Sequence, residues 1–319
     1  MKKNLRVLVT GGAGFIGSHA VDRFLAEGAE VVVIDNFSTG RPENLKHHAG
    51  NPKLTLLQAD INDRARTASA YEGVDWVIHL AALADIVPSI ERPGDYHHAN
   101  VNGTFEVLEH ARRVGVKRFI YAASSSCYGI PDTFPTPETA EIRPQYPYAT
   151  TKYLGEEYVL NWGQIYKLPV ASLRFFNVYG PRSRTSGTYG AVFGVFLAQK
   201  LKGKPFTVVG DGKQSRDFTF VTDVVSAVYA AAKSDICGEV MNIGSGSHYS
   251  VNRLVELLGG EITYIPKRPG EPDITFADTK KIRSLLAWEP KISFEAGVAE
   301  MLKHMHYWAA TPVWTPGAT

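Results

Sequence analysis

Cysteine is scarce in this chain of 319 residues: Cys127 and Cys237 lie far apart and neither has a C-x-x-C partner. That excludes a disulfide framework and a cysteine-built metal site, and it points to a reducing compartment, the cytoplasm. An excess of charge of either sign is also missing, since 34 Lys and Arg face 32 Asp and Glu for a formal charge of +2. No strong field is therefore directed at nucleic acid or at a membrane surface. No apolar window approaches the roughly eighteen residues that span a bilayer. The opening MKKNLRVLVT imitates a secretion signal, but its apolar run stops at Thr10 in a glycine cluster, with no small-residue cleavage site, so no leader is expected. Repeats, low-complexity tracts and long charge blocks are absent, which argues against a solenoid or a disordered tail. The pairs His47-His48 and His97-His98, and His304 with His306, match no dependable ligand spacing, so no metal is expected.

What the chain does have is ordinary globular composition, 44% hydrophobic and 21% charged, in a length that favours two lobes over one thicker core. Leu5 to Thr10 is a β-branched run, a glycine cluster follows, and 15–26 carries helical spacing up to Gly28. A second strand runs from Glu30 to Ile34 and ends at Asp35. Further strands are expected at 54–58, 76–80, 118–122 and 170–174, with helices near 64–72, 97–114 and 147–165. Such alternation predicts an α/β fold, a Rossmann-type doubly wound parallel sheet covered by helices on both faces. Beyond residue 176 turns such as GPR, GKP and RPGEPD interrupt the rhythm, and helices are expected at 191–202, 222–233, 250–258, 278–286 and 293–306. The expected division is a nucleotide-binding domain over 1–176, joined by parts of 218–245, and a smaller mixed α/β substrate lobe over 177–319. The tail from 307, with two tryptophans and two prolines, fits either an extended strap or a frayed end.

Gly12, Gly14 and Gly17 have the G-x-G-x-x-G spacing, with Gly11 giving a second glycine reading of the same turn. Placed between a strand and a helix, these glycines allow a tight turn and let a helix N-terminus approach a pyrophosphate with no Cβ in the way. The fingerprint asks for an acid at the end of the second strand to accept from ribose hydroxyls, and Asp35 stands there. A carboxylate at that point repels the extra phosphate of NADP and favours NAD. Asp60 ends the third strand, where an adenine amino group would lie. Ala81 and Ala82 after the fourth strand allow a dinucleotide to cross closely, and Asn100 is placed to cap or bridge backbone there.

Tyr148 and Lys152 form Y-x-x-x-K, which puts both on one face of a helix. An ammonium beside a phenol favours the phenolate that a general base requires. Tyr229 and Lys233 repeat the spacing, but only Tyr148 follows a strand ending in Ala123-Ser124-Ser125-Ser126, at the sheet's carboxyl edge, where open α/β folds hold ligands. A serine there can bond a substrate oxygen and relay its proton. Register favours Ser124, with Ser125 and Ser126 next.

TGGAGFIGSH, DNFSTG, HLAA, SSSCYG, YATTK, RFFNVYGPR and GDGKQSRDF together resemble the extended short-chain dehydrogenase/reductase superfamily, in its NAD-dependent sugar epimerase/dehydratase branch. The resemblance implies NAD in the Rossmann lobe and a nucleotide-diphospho-sugar against the C-terminal lobe. It implies cofactor contacts from Gly11, Gly14, Phe15, Ile16 and Gly17, from Asp35, Asn36, Ser38 and Gly40, and from Asp60 and Ile61. Leu80, Ala81, Ala82, Asn100, Tyr148, Lys152 and Phe175 complete that set. Substrate contacts are implied for Ser124, Ser125, Tyr148, Asn177, Arg216, Arg268 and Thr275.

Dehydratases of this kind follow the catalytic hydroxyl with Asp-Glu, where this chain has Ser125 and Ser126; decarboxylases keep a glutamate at the place of Ser126. Among epimerases, AASSSCYG and GTYGAVFGVF most resemble the UDP-N-acetylglucosamine 4-epimerases. Thr275 stands where glucose-only enzymes have a bulky tyrosine, leaving volume for a 2-acetamido group. The implied reaction is C4 epimerisation of UDP-N-acetylglucosamine to UDP-N-acetylgalactosamine through a 4-keto sugar, by Ser124, Tyr148 and Lys152. The alternatives are UDP-glucose or UDP-glucuronate 4-epimerisation, then 4,6-dehydration or uronate decarboxylation. The resemblance also implies a homodimer paired through the 97–114 and 147–165 helices.

Overall fold

The computed structural model describes residues 4–183, 192–266 and 272–309. The β-branched run becomes β1 (Arg6–Thr10), which leads through α1 (Phe15–Ala26) to β2 (Glu30–Asp35). Then come β3 (Leu54–Gln58), α2 (Arg64–Thr67), β4 (Trp76–His79), α3 (Ile86–Glu91), α4 (Pro93–His97), α5 (Gly103–Val114), β5 (Arg118–Ser124), α6 (Pro147–Tyr166) and β6 (Val170–Phe175). The remainder holds β7 (Asn177–Tyr179), α7 (Val192–Leu201), β8 (Phe206–Val209), β9 (Ser215–Arg216), β10 (Phe218–Phe220) and α8 (Val221–Lys233). It continues with β11 (Glu239–Ile243), β12 (Tyr249–Ser250), α9 (Val251–Leu258), β13 (Ile262–Ile265), α10 (Lys280–Leu286) and α11 (Phe294–Lys303).

Seven strands form one parallel sheet in the order β11-β6-β5-β4-β1-β2-β3. Its central strands are near-continuous Val and Ile runs because helices cover both faces. One face packs Val21 and Phe24 of α1 with Val224 and Val228 of α8. The other packs Val107 and Leu108 of α5 with Val159 of α6. Strand order reverses between β1 and β4, so a crevice opens at their carboxyl ends, where open α/β sheets bind ligands.

The C-terminal lobe has its own core of Tyr179, Phe193, Phe218, Phe294 and Met301. Around it lie the short parallel pairs β7–β10 and β8–β13 and the antiparallel pair β9–β12. β11 leaves this half of the chain to pair with β6, Glu239 opposite Ala171 and Ile243 opposite Phe175. Trp308 joins the lobe core, and its indole N–H donates to the Ser183 carbonyl at 3.1 Å. The tail therefore straps onto the lobe at least that far; 310–319 lie outside the described residues. Both cysteines are free, Cys127 buried and Cys237 exposed. Among the described residues no helix is long and apolar enough to cross a membrane.

Candidate active site

At the crevice the chain turns through Gly11 in the left-handed region, φ +70°, while its amide still donates to the Ile34 carbonyl at 2.8 Å. A Cβ on Gly11 would meet the Ala81 backbone at 2.8 Å, and one on Gly17 would run into the Gly11 carbonyl. Gly14 is the N-cap of α1 and brings no side chain to cap it. The first amides of α1, from Phe15, Ile16 and Gly17, thus face an approach free of Cβ atoms, with the positive end of the helix behind them. That cradle fits a dinucleotide pyrophosphate. Gly17→Ala is expected to expel the cofactor, lowering bound NAD in the purified protein by about tenfold or more, since roughly 1.4 kcal/mol of strain suffices; absorbance of the released nucleotide measures it.

The residues expected around the adenosine end come together. Asp35 is buried and accepts from the Ala13 amide at 2.9 Å and the Phe37 amide at 2.8 Å. Burial pushes its carboxyl pKa up against those two donors, and each oxygen keeps a lone pair for a ribose hydroxyl. Gly40 lies against the carboxylate so closely that a Cβ would sit 2.8 Å from both oxygens. Asn36 accepts from the Ser38 amide at 3.0 Å and donates to Asp60 at 2.8 Å. Asp60 also accepts from the Asn62 amide at 2.8 Å. Burial raises the Asp60 pKa, but these donors outweigh it and hold the carboxyl below its usual range. Ile61 beside it is buried in the sheet's second core.

At the head of β4, the amides of Leu80 and Ala81 donate to the Thr10 hydroxyl at 3.2 and 3.3 Å, and Ala82 follows in the same loop. Asn100, expected among the cofactor contacts, uses its side chain inside the protein. Its oxygen accepts from the Leu83 amide at 2.8 Å, and its nitrogen donates to the Leu83 carbonyl and the Thr151 hydroxyl, both at 3.0 Å. It bridges the loop after β4 to α6 beside Lys152, from a π-helical stretch, His98–Asn102.

Ser124 ends β5 opposite Phe175 of β6. Its hydroxyl oxygen accepts from the Ser126 hydroxyl at 2.8 Å and the Ser126 amide at 3.2 Å, and it lies close enough to the Tyr148 phenol to lower that group's pKa. Ser125 opens the 3-10 turn Ser125–Tyr128 between them and the next loop. Pro147 starts α6 and sets Tyr148 in its first turn, where the helix dipole favours a negative charge. Burial raises the Tyr148 pKa, and the Ser124 hydroxyl opposes it.

Lys152, expected to lower the Tyr148 pKa, is not among the groups that shift it. Lys152, one turn on and only 5% exposed, holds its Nζ 4.2 Å from the centre of the Tyr121 ring. Burial lowers its own pKa to about 7, with Glu156 opposing. Between about pH 7 and 10.5 the folded state therefore binds fewer protons than the unfolded chain, so stability rises with pH across that window. Lys152→Met is expected to be the more stable protein at pH 7 by a few kcal/mol, on the order of the linkage energy, and to lose most of that advantage by about pH 10; urea unfolding of both proteins at several pH values checks it.

One residue the sequence reading missed lies on the same helical face. Glu156, a further turn along α6, is 1% exposed and forms a buried ion pair with Arg174 of β6. It also accepts from the Ser172 hydroxyl at 2.7 Å. Arg174 donates onward to the Tyr128 hydroxyl at 2.9 Å, and Tyr128 to Asn242 at 2.7 Å. The spacing Tyr148, Lys152, Glu156 was the available signal, four residues at each step.

On the C-terminal side, the Thr275 hydroxyl donates to Asn177 at 2.7 Å and accepts from the Asp217 amide at 3.1 Å, which brings two expected substrate residues into contact. Arg216 on β9 donates to the Ser215 carbonyl at 2.9 Å. Asp217 itself, fully buried, accepts from the Ser245 amide and hydroxyl and the Ala277 amide, and clamps these segments together. Arg268 lies outside the described residues.

A Rossmann sheet with a glycine-lined helix N-terminus at its switch point, and a Ser-Tyr-Lys group on its carboxyl edge, defines a dinucleotide-dependent enzyme. The model of the NAD dependent epimerase/dehydratase family matches residues 7–244. UDP-glucose 4-epimerase of Mycolicibacterium smegmatis is 36% identical over 307 residues, covering 94% of this chain and 98% of that protein. The solved UDP-N-acetylglucosamine 4-epimerase of Methanobrevibacter ruminantium M1, in complex with UDP-N-acetylmuramic acid, superposes with a TM-score of 0.90 at 32% identity, over 95% of this chain and 99% of that one. UDP-glucuronic acid 4-epimerase of Bacillus cereus, in complex with UDP-glucuronic acid and NAD, has a TM-score of 0.87 at 31% identity over the same shares, 95% and 99%. The chain belongs to the NAD dependent epimerase/dehydratase family, and its cofactor is NAD.

Proposed function

We propose that this enzyme is an NAD-dependent 4-epimerase of a UDP-sugar, interconverting UDP-N-acetylglucosamine and UDP-N-acetylgalactosamine through a 4-keto sugar. The observation that carries the reaction type is Ser126. Where dehydratases and decarboxylases have a carboxylate, this residue is a hydroxyl donating to Ser124. The position of that third carboxylate therefore holds no acid or base, and epimerisation needs none. The small Thr275, tied to Asn177, supports a pocket with room for an acetamido group. The two compared structures named for UDP-N-acetylglucosamine and UDP-glucuronic acid epimerases match about equally well, so the sugar rests on these side chains.

When bound, NAD supplies a hydride acceptor at C4. Tyr148 takes the proton of the C4 hydroxyl and later returns it. Ser124 donates to the same phenolic oxygen and steadies its charge, together with the N-terminus of α6. Lys152, when protonated, holds the cofactor ribose and keeps the phenolate charged. Asn177, Arg216 and Arg268 grip the diphosphate, about which the keto sugar turns to present its other face; paired guanidinium–phosphate contacts suit that task. In this reading 1–176 with parts of 218–245 hold the cofactor, and 177–319 the sugar nucleotide. Leu154, Tyr158, Ile165 and Tyr166 stand exposed along α6, which supports a homodimer paired through α5 and α6. The paucity of cysteine supports a cytoplasmic site of action.

The test is a panel of UDP-glucose, UDP-N-acetylglucosamine and UDP-glucuronic acid with NMR identification of each product. Fastest conversion of UDP-N-acetylglucosamine is expected. Conversion of UDP-glucose alone would overturn the acetamido pocket, and product lacking water or carbon dioxide would overturn epimerisation.

A further inference from the structure

Away from the catalytic group, three potential ligands converge from two elements. Asp22 lies in the second turn of α1, and His47 and His48 end the 3-10 segment Pro42–His48 that follows the ribose-side loop. Both imidazole Nε2 atoms lie 2.7 Å from the same oxygen, Oδ1 of Asp22. The two rings stand 4.1 Å apart, and the donor atoms of all three residues lie within 4.8 Å of one another. Adjacent histidines on a helical segment ordinarily diverge; here both turn onto one carboxylate oxygen. The second oxygen, Oδ2, is held by Arg182 at 2.8 Å, the kind of outer partner that fixes a ligating carboxylate.

We propose that Asp22, His47 and His48 form a binding site for a divalent transition-metal ion of the zinc type, with water completing its coordination. Two nitrogens and one carboxylate oxygen leaving an open position are a common donor set for that ion. Metal–ligand distances of about 2.0–2.2 Å require the three donors to separate by only roughly half an ångström from their present contacts. Each neutral imidazole moves its proton from Nε2 to Nδ1 and offers the freed lone pair, so binding releases no proton from a neutral ring. The Arg182 guanidinium offsets part of the Asp22 charge, which weakens the site's attraction for a cation.

The position gives the ion a structural consequence. The segment it would hold is already tied to the glycine turn, because the Arg41 amide and the Asn44 side chain donate to the Ala13 carbonyl at 3.0 and 2.8 Å. An ion between Asp22 and the histidines would staple that segment to α1, next to the loop that shapes Asp35. Binding to the folded state alone stabilises it by mass action.

Calorimetric titration of the tag-free NAD-bound enzyme with Zn²⁺, and visible absorption with Co²⁺, test the site. The expected result is one ion per chain, with affinity reduced by about tenfold or more in His47→Ala and in His48→Ala and unchanged in His97→Ala. The expected rise in unfolding temperature with Zn²⁺ disappears in the same two variants. His47 is well exposed, so its variant keeps the fold, which circular dichroism verifies. Failure to bind one equivalent at millimolar Zn²⁺, or binding untouched by both histidine variants, would overturn the proposal.

Discussion

Tyr148→Phe lowers kcat by about 10²- to 10⁴-fold while the protein keeps its bound NAD and its fold. The substitution removes one oxygen and leaves the ring, which packs edge-on to Tyr96 with centroids 6.5 Å apart. What is lost is the atom that carries the proton. Because burial raises the Tyr148 pKa, the phenolate depends on the groups placed around it, the first turn of α6 and the Ser124 hydroxyl among them. Ser124→Ala, which removes one of these and leaves the base, is expected to have the smaller effect. Single-turnover rates with each variant, alongside the amount of nucleotide they retain, separate chemistry from cofactor loss. Undiminished turnover by Tyr148→Phe would remove the phenol from the mechanism.

Glu156→Ala destabilises the fold by about 3–5 kcal/mol. The variant leaves the Arg174 guanidinium, 5% exposed, without its carboxylate between α6 and β6. Tyr128 and the Glu138 carbonyl remain as its partners, at 2.9 and 3.3 Å, and neither carries a charge. The Ser172 hydroxyl loses its acceptor at the same time. Glu156 is also the charge that opposes the burial of Lys152, so the lysine pKa falls further and less of it is protonated at neutral pH. Urea unfolding gives the stability change. A second, independent mark is an acid-shifted limb in the pH profile of whatever turnover survives. Unchanged stability would mean that the ion pair is offset by its own desolvation.

The Rossmann half was legible because its signals are local and periodic. The run 15–26, bounded by Gly14 and Gly28, gives α1 at the expected residues, and the Val and Ile runs give β1 to β6 with ends displaced by a residue or two. The cofactor turn was legible because glycine is the only residue its geometry admits, and Asp35 because it must end the second strand. In the C-terminal lobe the strands are two to four residues long. Too short to show a period, they are held by distant contacts such as Asp217 with Ser245 and Ala277. β11 lies within 218–245, the stretch expected to join the first domain, although its five residues carry no signal of their own for a place beside β6. Asn100 was expected among the cofactor contacts, and only the fold reveals that its amide is used on Leu83 and Thr151. Glu156 was visible as spacing, yet nothing in the sequence says that Arg174 lies opposite. The convergence of Asp22 on His47 and His48 joins residues about 25 apart, which no ligand-spacing pattern describes.

The most direct test of the account is to run the reaction on UDP-N-acetylglucosamine in deuterium oxide and read the product by mass and NMR. Removal and return of the same hydride at C4 predicts a product of unchanged mass, inverted at C4, with no solvent deuterium on carbon. Loss of water with deuterium at C6, or recovery of the substrate untouched by the NAD-bound enzyme, would contradict it.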